Sequence, residues 1–444
     1  MVVYRRCARL NNEKEILVSL DVGTSEIKAI IGEVANDSLN VIGVGTAPSL
    51  GMKKGAIVDI DKTVQSIHSA VDQAERMVDM KIDRVVVGVN GNHVQLQNCH
   101  GVVAVSSEDR EIEDEDIARV IDAAQVVSVP PEREIIDVIP KEFIVDGQDE
   151  ITDPRGMIGV RLEMEGTIIT CTKTVLHNTL RCVERAGLEV IDVCLQPLAT
   201  GTAALSEDEK HLGIALMDVG GGSTTISVFK EGHLVGTAMI PVGGDNITKD
   251  LSVGLRTSTE EAESIKVEHG HAFYEDANEQ ETFSVNIIGS NQQETYNQVD
   301  ISDMIEARME EVYVMVAKEL QRMGVQDLPG GFVLTGGSMN MPGVLELAQD
   351  VFSANLRLAV PDYLGVRDPK YTSGVGTLQF AYRNAKIQGK DIFPSVQNIG
   401  EPAKTAPKQP KAQKPKQKSQ TQKQQSSKEK EETGFSKFIK AFFD

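Results

Sequence analysis

Two stretches of this chain repeat one pattern, and that repetition constrains the fold more than any other feature. Ile16-Leu17-Val18-Ser19-Leu20-Asp21 is an apolar run ending in a carboxylate, and Val22, Gly23, Thr24 and Ser25 follow it. Ile214-Ala215-Leu216-Met217-Asp218 does the same, followed by Val219, Gly220, Gly221, Gly222, Ser223 and Thr224. After each turn apolar residues resume at alternate positions (Ile27, Ala29 and Ile31; Ile226 and Val228), so each stretch reads as a β-hairpin with a glycine-rich turn. A third segment, Gly331 to Ser338, is an apolar strand that opens into the pair Gly336-Gly337. The expected architecture is α/β, with two related halves sharing one cleft.

A hairpin turn of Asp-x-Gly-Thr/Ser presents backbone N–H groups and hydroxyls to an anion, because glycine lets the backbone approach closely. Gly23, Thr24 and Ser25 in one turn, and Gly220, Gly221, Gly222, Ser223 and Thr224 in the other, are the candidate phosphate cradle. Asp21 and Asp218 would repel phosphate unless a divalent cation lies between them. Mg²⁺ held through water fits, since that ion gives up its hydration shell reluctantly. Lys28, on the return strand, is placed to reach a β- or γ-phosphate, and Gly336, Gly337 and Ser338 offer bare backbone to a flat base or ribose. The chain has no GxxxxGK[ST] segment, and Gly43-Val44-Gly45 runs into Ala47-Pro48 rather than a helix-opening glycine. Both the P-loop and the dinucleotide fingerprint are excluded.

Charge divides the chain. The net charge is −21, yet eleven lysines stand against five acidic residues from Glu401 to Asp444, so the first 400 residues are more acidic than the whole. An acidic body repels phosphate backbones, and no nucleic-acid partner is expected. The five cysteines are widely spaced with no CxxC pair, which suggests reduced thiols rather than disulfides or zinc. No run of eighteen apolar residues and no signal-like apolar region follow the N-terminal arginines, so neither export nor a membrane span is expected.

Residues 92–172 have the character of an inserted small α/β module, with Ile117, Val120, Ile121 and Ala124 on one helix face. From Pro402 to Gly434 there is no Val, Ile, Leu, Met or aromatic residue, the composition of a disordered linker. Then Phe435, Phe438, Ile439, Phe442 and Phe443 fall on one face of a helix, with Lys437 and Lys440 elsewhere. Five such side chains at about 1.5–3 kcal/mol each, plus about 1 kcal/mol per lysine near anionic lipid, face an ordering cost of about 1–2 kcal/mol per residue. Attachment of one copy to an anionic membrane is therefore weak and reversible, and linked copies hold firmly. Aromatics are only 4% of the chain and Trp is absent, yet four of twelve Phe lie in this segment.

The set resembles the five motifs of the actin, Hsp70 and sugar-kinase ATPase superfamily: Asp21 to Lys28, Asp218 to Thr225, Leu334 to Ser338, and two connecting helices at Gln196–Ala204 and Thr372–Leu378. Within it the chain resembles the bacterial FtsA cell-division family, on Val138 to Phe143, Asp153-Pro154-Arg155-Gly156-Met157, Ile240 to Thr248, Ala262 to Lys266 and the amphipathic terminus. The resemblance implies an actin-like fold with an FtsA-type inserted subdomain. The expected division is 13–91, 173–205 and 357–386 for the first half and 92–172 for the insertion. The second half is 206–356 (its outer part about 249–310), with a basic linker at 387–433 and a membrane-targeting helix at 434–444.

The resemblance also implies ATP with Mg²⁺ as ligand, Glu263 and Lys266 at the ribose or base, and Gln196 where the superfamily orients the hydrolytic water. Gln is a poor general base, so at most slow ATP hydrolysis is expected. Implied partners are tubulin-like FtsZ, further copies of the chain in a filament, anionic lipid and later division proteins. The implied location is the cytoplasmic face of the cell membrane at the septum. A small-molecule kinase of the same superfamily and an actin-like pilus-assembly adaptor remain alternatives.

Overall fold

The apolar run before Asp21 becomes β1 (Glu15–Val22), buried at every position but its first, as a strand covered on both faces must be. The computed structural model describes residues 15–35, 38–91, 94–290 and 293–388. Next come β2 (Glu26–Ala35), β3 (Ser38–Pro48), a small hairpin of β4 (Met52–Lys53) and β5 (Ala56–Ile57), α1 (Ile60–Val78) and β6 (Arg84–Val89). The chain then forms β7 (Gln95–Ala104), α2 (Asp114–Ala124), β8 (Arg133–Val145), β9 (Gln148–Ile151) and β10 (Arg161–Thr172). It returns through α3 (Lys173–Arg185), β11 (Glu189–Leu195) and α4 (Gln196–Ala204).

The later half contains α5 (Glu207–Leu212), β12 (Ile214–Val219), β13 (Thr224–Lys230), β14 (His233–Ile240), α6 (Gly244–Gly254) and α7 (Thr259–His269). It continues with β15 (Thr282–Asn286), β16 (Gln293–Asn297), α8 (Gln298–Arg322), β17 (Phe332–Thr335), α9 (Val344–Phe352), β18 (Leu356–Leu358) and α10 (Thr372–Gln388).

Two five-stranded sheets share one topology. Their orders are β3-β2-β1-β6-β11 and β14-β13-β12-β17-β18. In each, the Asp-bearing strand pairs antiparallel with the strand after its turn and parallel with the strand on its other side. The registers match as well: Asp21 sits opposite Lys28 and Gly88, and Asp218 opposite Thr225 and Thr335. The repeat read from sequence is a repeat of structure.

The connecting helices follow from their composition. α4 starts with Pro197 in its first turn, where the missing N–H costs nothing, and its Ala199, Gly201 and Ala204 are small and buried. It packs on α10 so tightly that a Cβ on Gly376 would lie 2.2 Å from the Ala199 carbonyl oxygen. α10 extends to Gln388, two residues into the expected linker, because Ala385 and Gln388 are still buried. Residues 389–444, which carry the rest of that linker and the expected terminal helix, lie outside the described residues.

Between β6 and α3 a separate four-stranded sheet, β7-β10-β8-β9, carries α2 on one face. α2 buries Ile117, Val120, Ile121 and Ala124 against Phe143, Leu162, Met164 and Ile168. The acidic stretch from Glu108 to Asp116, which leads into the first turn of α2, is mostly exposed, but Asp116 is buried, where its carboxylate accepts from Ser106 N and Oγ, Glu113 N and Arg119. Among the described residues no helix is long and apolar enough to cross a membrane.

Candidate functional site

The strand ends carrying the two carboxylates open into one cleft of about 1010 Å³, the upper range for small-ligand sites. Asp21, Gly23, Thr24, Ser25, Lys28, Gln196, Asp218, Gly220, Gly221, Gly222, Ser223, Glu263, Lys266, Gly336, Gly337 and Ser338 all line it. Thr224 does not. Its side chain is fully buried, with Oγ1 donating to the Val242 carbonyl, and Thr225, on the opposite face of β13, lines the cleft instead. Phe435, Lys437, Phe438, Ile439, Lys440, Phe442 and Phe443 lie outside the described residues.

The two turns meet tip to tip. A Cβ on Gly221 would lie 1.8 Å from Ser25 Oγ, and one on Gly222 2.3 Å from Thr24 Cγ2, so only bare backbone allows this approach. Gly336 has φ +98°, a region that favours glycine, and a Cβ there would lie 2.5 Å from Asp218 Oδ1. Ser338 Oγ donates to the Gly220 carbonyl at 3.1 Å, tying the glycine-pair loop to the second turn.

The two carboxylates have different surroundings. Asp21 accepts from Gln196 Nε2 at 2.9 Å and Ser373 Oγ at 3.0 Å, with Lys28 Nζ at 3.5 Å. Asp218 accepts no hydrogen bond from any described residue, and its pKa is pushed up to about 6 by burial and the Asp21 charge, with Lys28 pulling the other way. Burial depresses the Lys28 ammonium, but Asp21, Glu26 and Asp218 outweigh it and hold the pKa above its ordinary value. The site is short of positive charge at Asp218, and a hydrated divalent cation fits that deficit.

On the far wall, Lys266 Nζ donates to Glu263 Oε2 at 2.6 Å, Thr248 Oγ1 at 2.8 Å and the Gly244 carbonyl at 3.3 Å. Glu263 and Lys266 thus pair with each other on α7 while both line the cleft.

Sequence reading missed three polar residues here. Ser373, on the first turn of α10, bonds both Asp21 and Gln196. Asp245 accepts from Ser25 Oγ at 3.1 Å, and burial raises its pKa against the pull of that bond and Lys266. Lys370, which also lines the cleft, lies 3.7 Å from Glu26. Asp245 carried a signal in the Gly243-Gly244 pair before it at the start of α6, Ser373 lay inside the connecting-helix motif Thr372–Leu378, and Lys370 had none.

The topology is shared with solved structures of low sequence identity. A PilM-PilN type IV pilus biogenesis complex matches at TM-score 0.55 and 15% identity, over 82% of this chain and 98% of that one. MreB5 of Spiroplasma citri bound to ADP matches at TM-score 0.53 and 14% identity, over 84% and 98%. The fold is that of the actin-like ATPases, two related halves around a cleft, with an inserted small α/β subdomain. The family model for cell division protein FtsA matches residues 215–376, and that for the SHS2 domain inserted in FtsA matches residues 91–170. The FtsA of Bacillus subtilis (strain 168) is 63% identical over 381 residues, covering 86% of this chain and 87% of the relative. That of Enterococcus hirae is 42% identical over 376 residues, covering 83% and 85%. The chain belongs to the FtsA family of cell division proteins.

Proposed function

We propose that this chain binds ATP with Mg²⁺ in the cleft, assembles into filaments of its own copies, and tethers FtsZ filaments to the cytoplasmic face of the cell membrane at the division septum. The observation that carries the nucleotide reading is the pairing of two glycine-rich turns with one carboxylate satisfied and the other short of a cation. The bound Mg²⁺ would supply charge neutralisation between phosphate oxygens and protein carboxylates. Thr24, Ser25 and Gly220 to Ser223 cradle the phosphates, Lys28 adds a fixed cation, and Asp21 and Asp218 hold the hydrated metal. Glu263, Lys266 and Gly336 to Ser338 take the ribose and base, and Gln196 orients water for slow hydrolysis at most.

The membrane reading rests on the Phe-rich face between Phe435 and Phe443, joined to the body by a basic segment without apolar residues. Anionic lipid is its target, FtsZ and further copies are the body's partners, and later division proteins join through the same scaffold. FtsA-family membership favours this reading over a metabolite kinase or a pilus adaptor. Liposome flotation of the full chain tests it: Phe435→Glu with Phe438→Glu is expected to abolish flotation on anionic vesicles and leave ATP–Mg²⁺ binding intact. A double variant that still floats removes the membrane role.

A further inference from the structure

Gln196, Asp21 and Ser373 form a closed ring of hydrogen bonds, and the ring decides which end of the Gln196 carboxamide faces the cleft. Gln196 Nε2 lies 2.9 Å from Asp21 Oδ1 and 2.8 Å from Ser373 Oγ, while Ser373 Oγ lies 3.0 Å from Asp21 Oδ2. An ionised carboxylate only accepts, so the single Ser373 proton goes to Asp21. With that proton committed, the Ser373 oxygen meets Gln196 as an acceptor, and both Nε2 hydrogens are used within the ring. Turning the carboxamide over would set Oε1 against a carboxylate oxygen and against a hydroxyl whose proton points elsewhere. That orientation is repulsive at both contacts.

We infer that Ser373 is a positioning residue for hydrolysis: it locks the Gln196 carboxamide with Oε1 as the one group left to accept from a water in the cleft. This rests on the nucleotide reading proposed above. A water that donates a hydrogen to Oε1 keeps a lone pair free for the γ-phosphorus. As the water oxygen bonds to that phosphorus, its bond to the β–γ bridging oxygen breaks, and the electron pair stays on ADP. The water's proton passes to a phosphate oxygen, because Gln196 orients and does not ionise.

The ring also links three elements. Asp21 is the next-to-last residue of β1, Gln196 opens α4 and Ser373 lies in the first turn of α10, so the aim of Oε1 depends on how both helices sit against β1. Ser373 and Asp21 are 6% and 5% exposed, so removing one leaves the other a buried polar group that has lost a hydrogen bond.

The test uses the full chain and three readouts: ATP–Mg²⁺ affinity, single-turnover hydrolysis with protein in excess, and a crystal structure of nucleotide-free Ser373→Ala. Ser373→Ala is expected to slow hydrolysis roughly five- to tenfold, the effect of one hydrogen bond, with affinity unchanged within about twofold. In a Gln196→Ala background the same change is expected to add less than about twofold. In the Ser373→Ala crystal the carboxamide is expected to keep its bond to Asp21 but to turn out of its wild-type plane once the second contact is gone, and a carboxamide in its wild-type position would overturn the lock. Unchanged hydrolysis, full additivity, or an affinity loss as large as the rate loss would each overturn the positioning role. A wild type that binds ATP–Mg²⁺ but never hydrolyses it overturns this inference and leaves the nucleotide reading standing. A wild type that fails to bind overturns both.

Discussion

Asp218→Asn should make the empty protein more stable and the loaded protein less so. Asp218 stands beside Asp21 with no hydrogen-bond donor among the described residues, and its pKa rises from 3.8 to about 6. The folded state therefore holds the proton more tightly than the unfolded chain does. Stability from this group is fully present below pH 3.8, falls as pH rises toward 6, and is gone above it. Full ionisation costs about 3 kcal/mol at 1.36 kcal/mol per pKa unit, and solvent at the cleft reduces this to about 1–3 kcal/mol. Asn keeps the shape and removes the charge.

Urea midpoints of nucleotide-free protein at pH 7.5 and pH 5.5 measure this. The variant is expected to exceed wild type by about 1–3 kcal/mol at pH 7.5, with the gap narrowing at pH 5.5, where wild-type Asp218 is largely protonated. ATP with Mg²⁺ should stabilise wild type and barely stabilise the variant, reversing the order. Asp21→Asn is the control: it disturbs the bonds from Gln196, Ser373 and Lys28 and is expected to destabilise at both pH values. If Asp218→Asn destabilises the empty protein, or its effect is the same at both pH values, the argument from uncompensated charge is refuted.

Gly376→Ala forces α4 and α10 apart, because the new methyl would lie 2.2 Å from the Ala199 carbonyl oxygen; a loss of about 1–3 kcal/mol in urea unfolding and weaker ATP–Mg²⁺ binding by calorimetry are expected. Arg155 donates to the last α10 carbonyls, Lys386 and Ile387, while pairing with Asp114 and Asp153. Arg155→Ala should accelerate amide hydrogen exchange at 384–388 and leave 374–380 unchanged. The Arg357 guanidinium holds Glu209 down to about 2 through two bonds of 2.7 Å, aided by Ser206. That stabilisation is present above pH 4.5 and lost as pH falls toward 2, so Arg357→Ala should cost about 1–2 kcal/mol at pH 7 after allowance for solvent, and less at pH 3.5 by urea midpoint.

Much of this was legible because turns and apolar runs are local. Gly23, Gly220 to Gly222 and the strands beside them announce themselves within ten residues, and the repeated pattern predicts a repeated sheet. Residues that act across the fold leave no such trace. Ser373 looks like one more small residue in Thr372-Ser373-Gly374-Val375-Gly376, and only the packing of the first turn of α10 on β1, where Ser19 Oγ donates to the Gly374 carbonyl, brings it to Asp21. Thr224 and Thr225 differ by strand parity, which the glycine-rich turn before them does not set, and it is the second that faces the cleft. Glu263 and Lys266 were visible as a helical pair at spacing three, but the bonds from Lys266 to Thr248 and Gly244 depend on how α7 meets α6.

The two halves share a scaffold but not a chemistry, and the difference gives the cleft a direction. Lys28 and Thr225 occupy the same register position opposite their aspartates, so the first half carries a fixed cation where the second carries a hydroxyl. Asp21 is further tied by α4 and α10, whereas no described donor meets Asp218. On the proposed reading, a cation entering between them changes little at Asp21 and relieves most of the cost at Asp218, so ligand energy is felt chiefly in the second half. A symmetric site with a lysine in each half would lack that bias. Closure of the second half onto a prearranged first half is the motion this asymmetry favours.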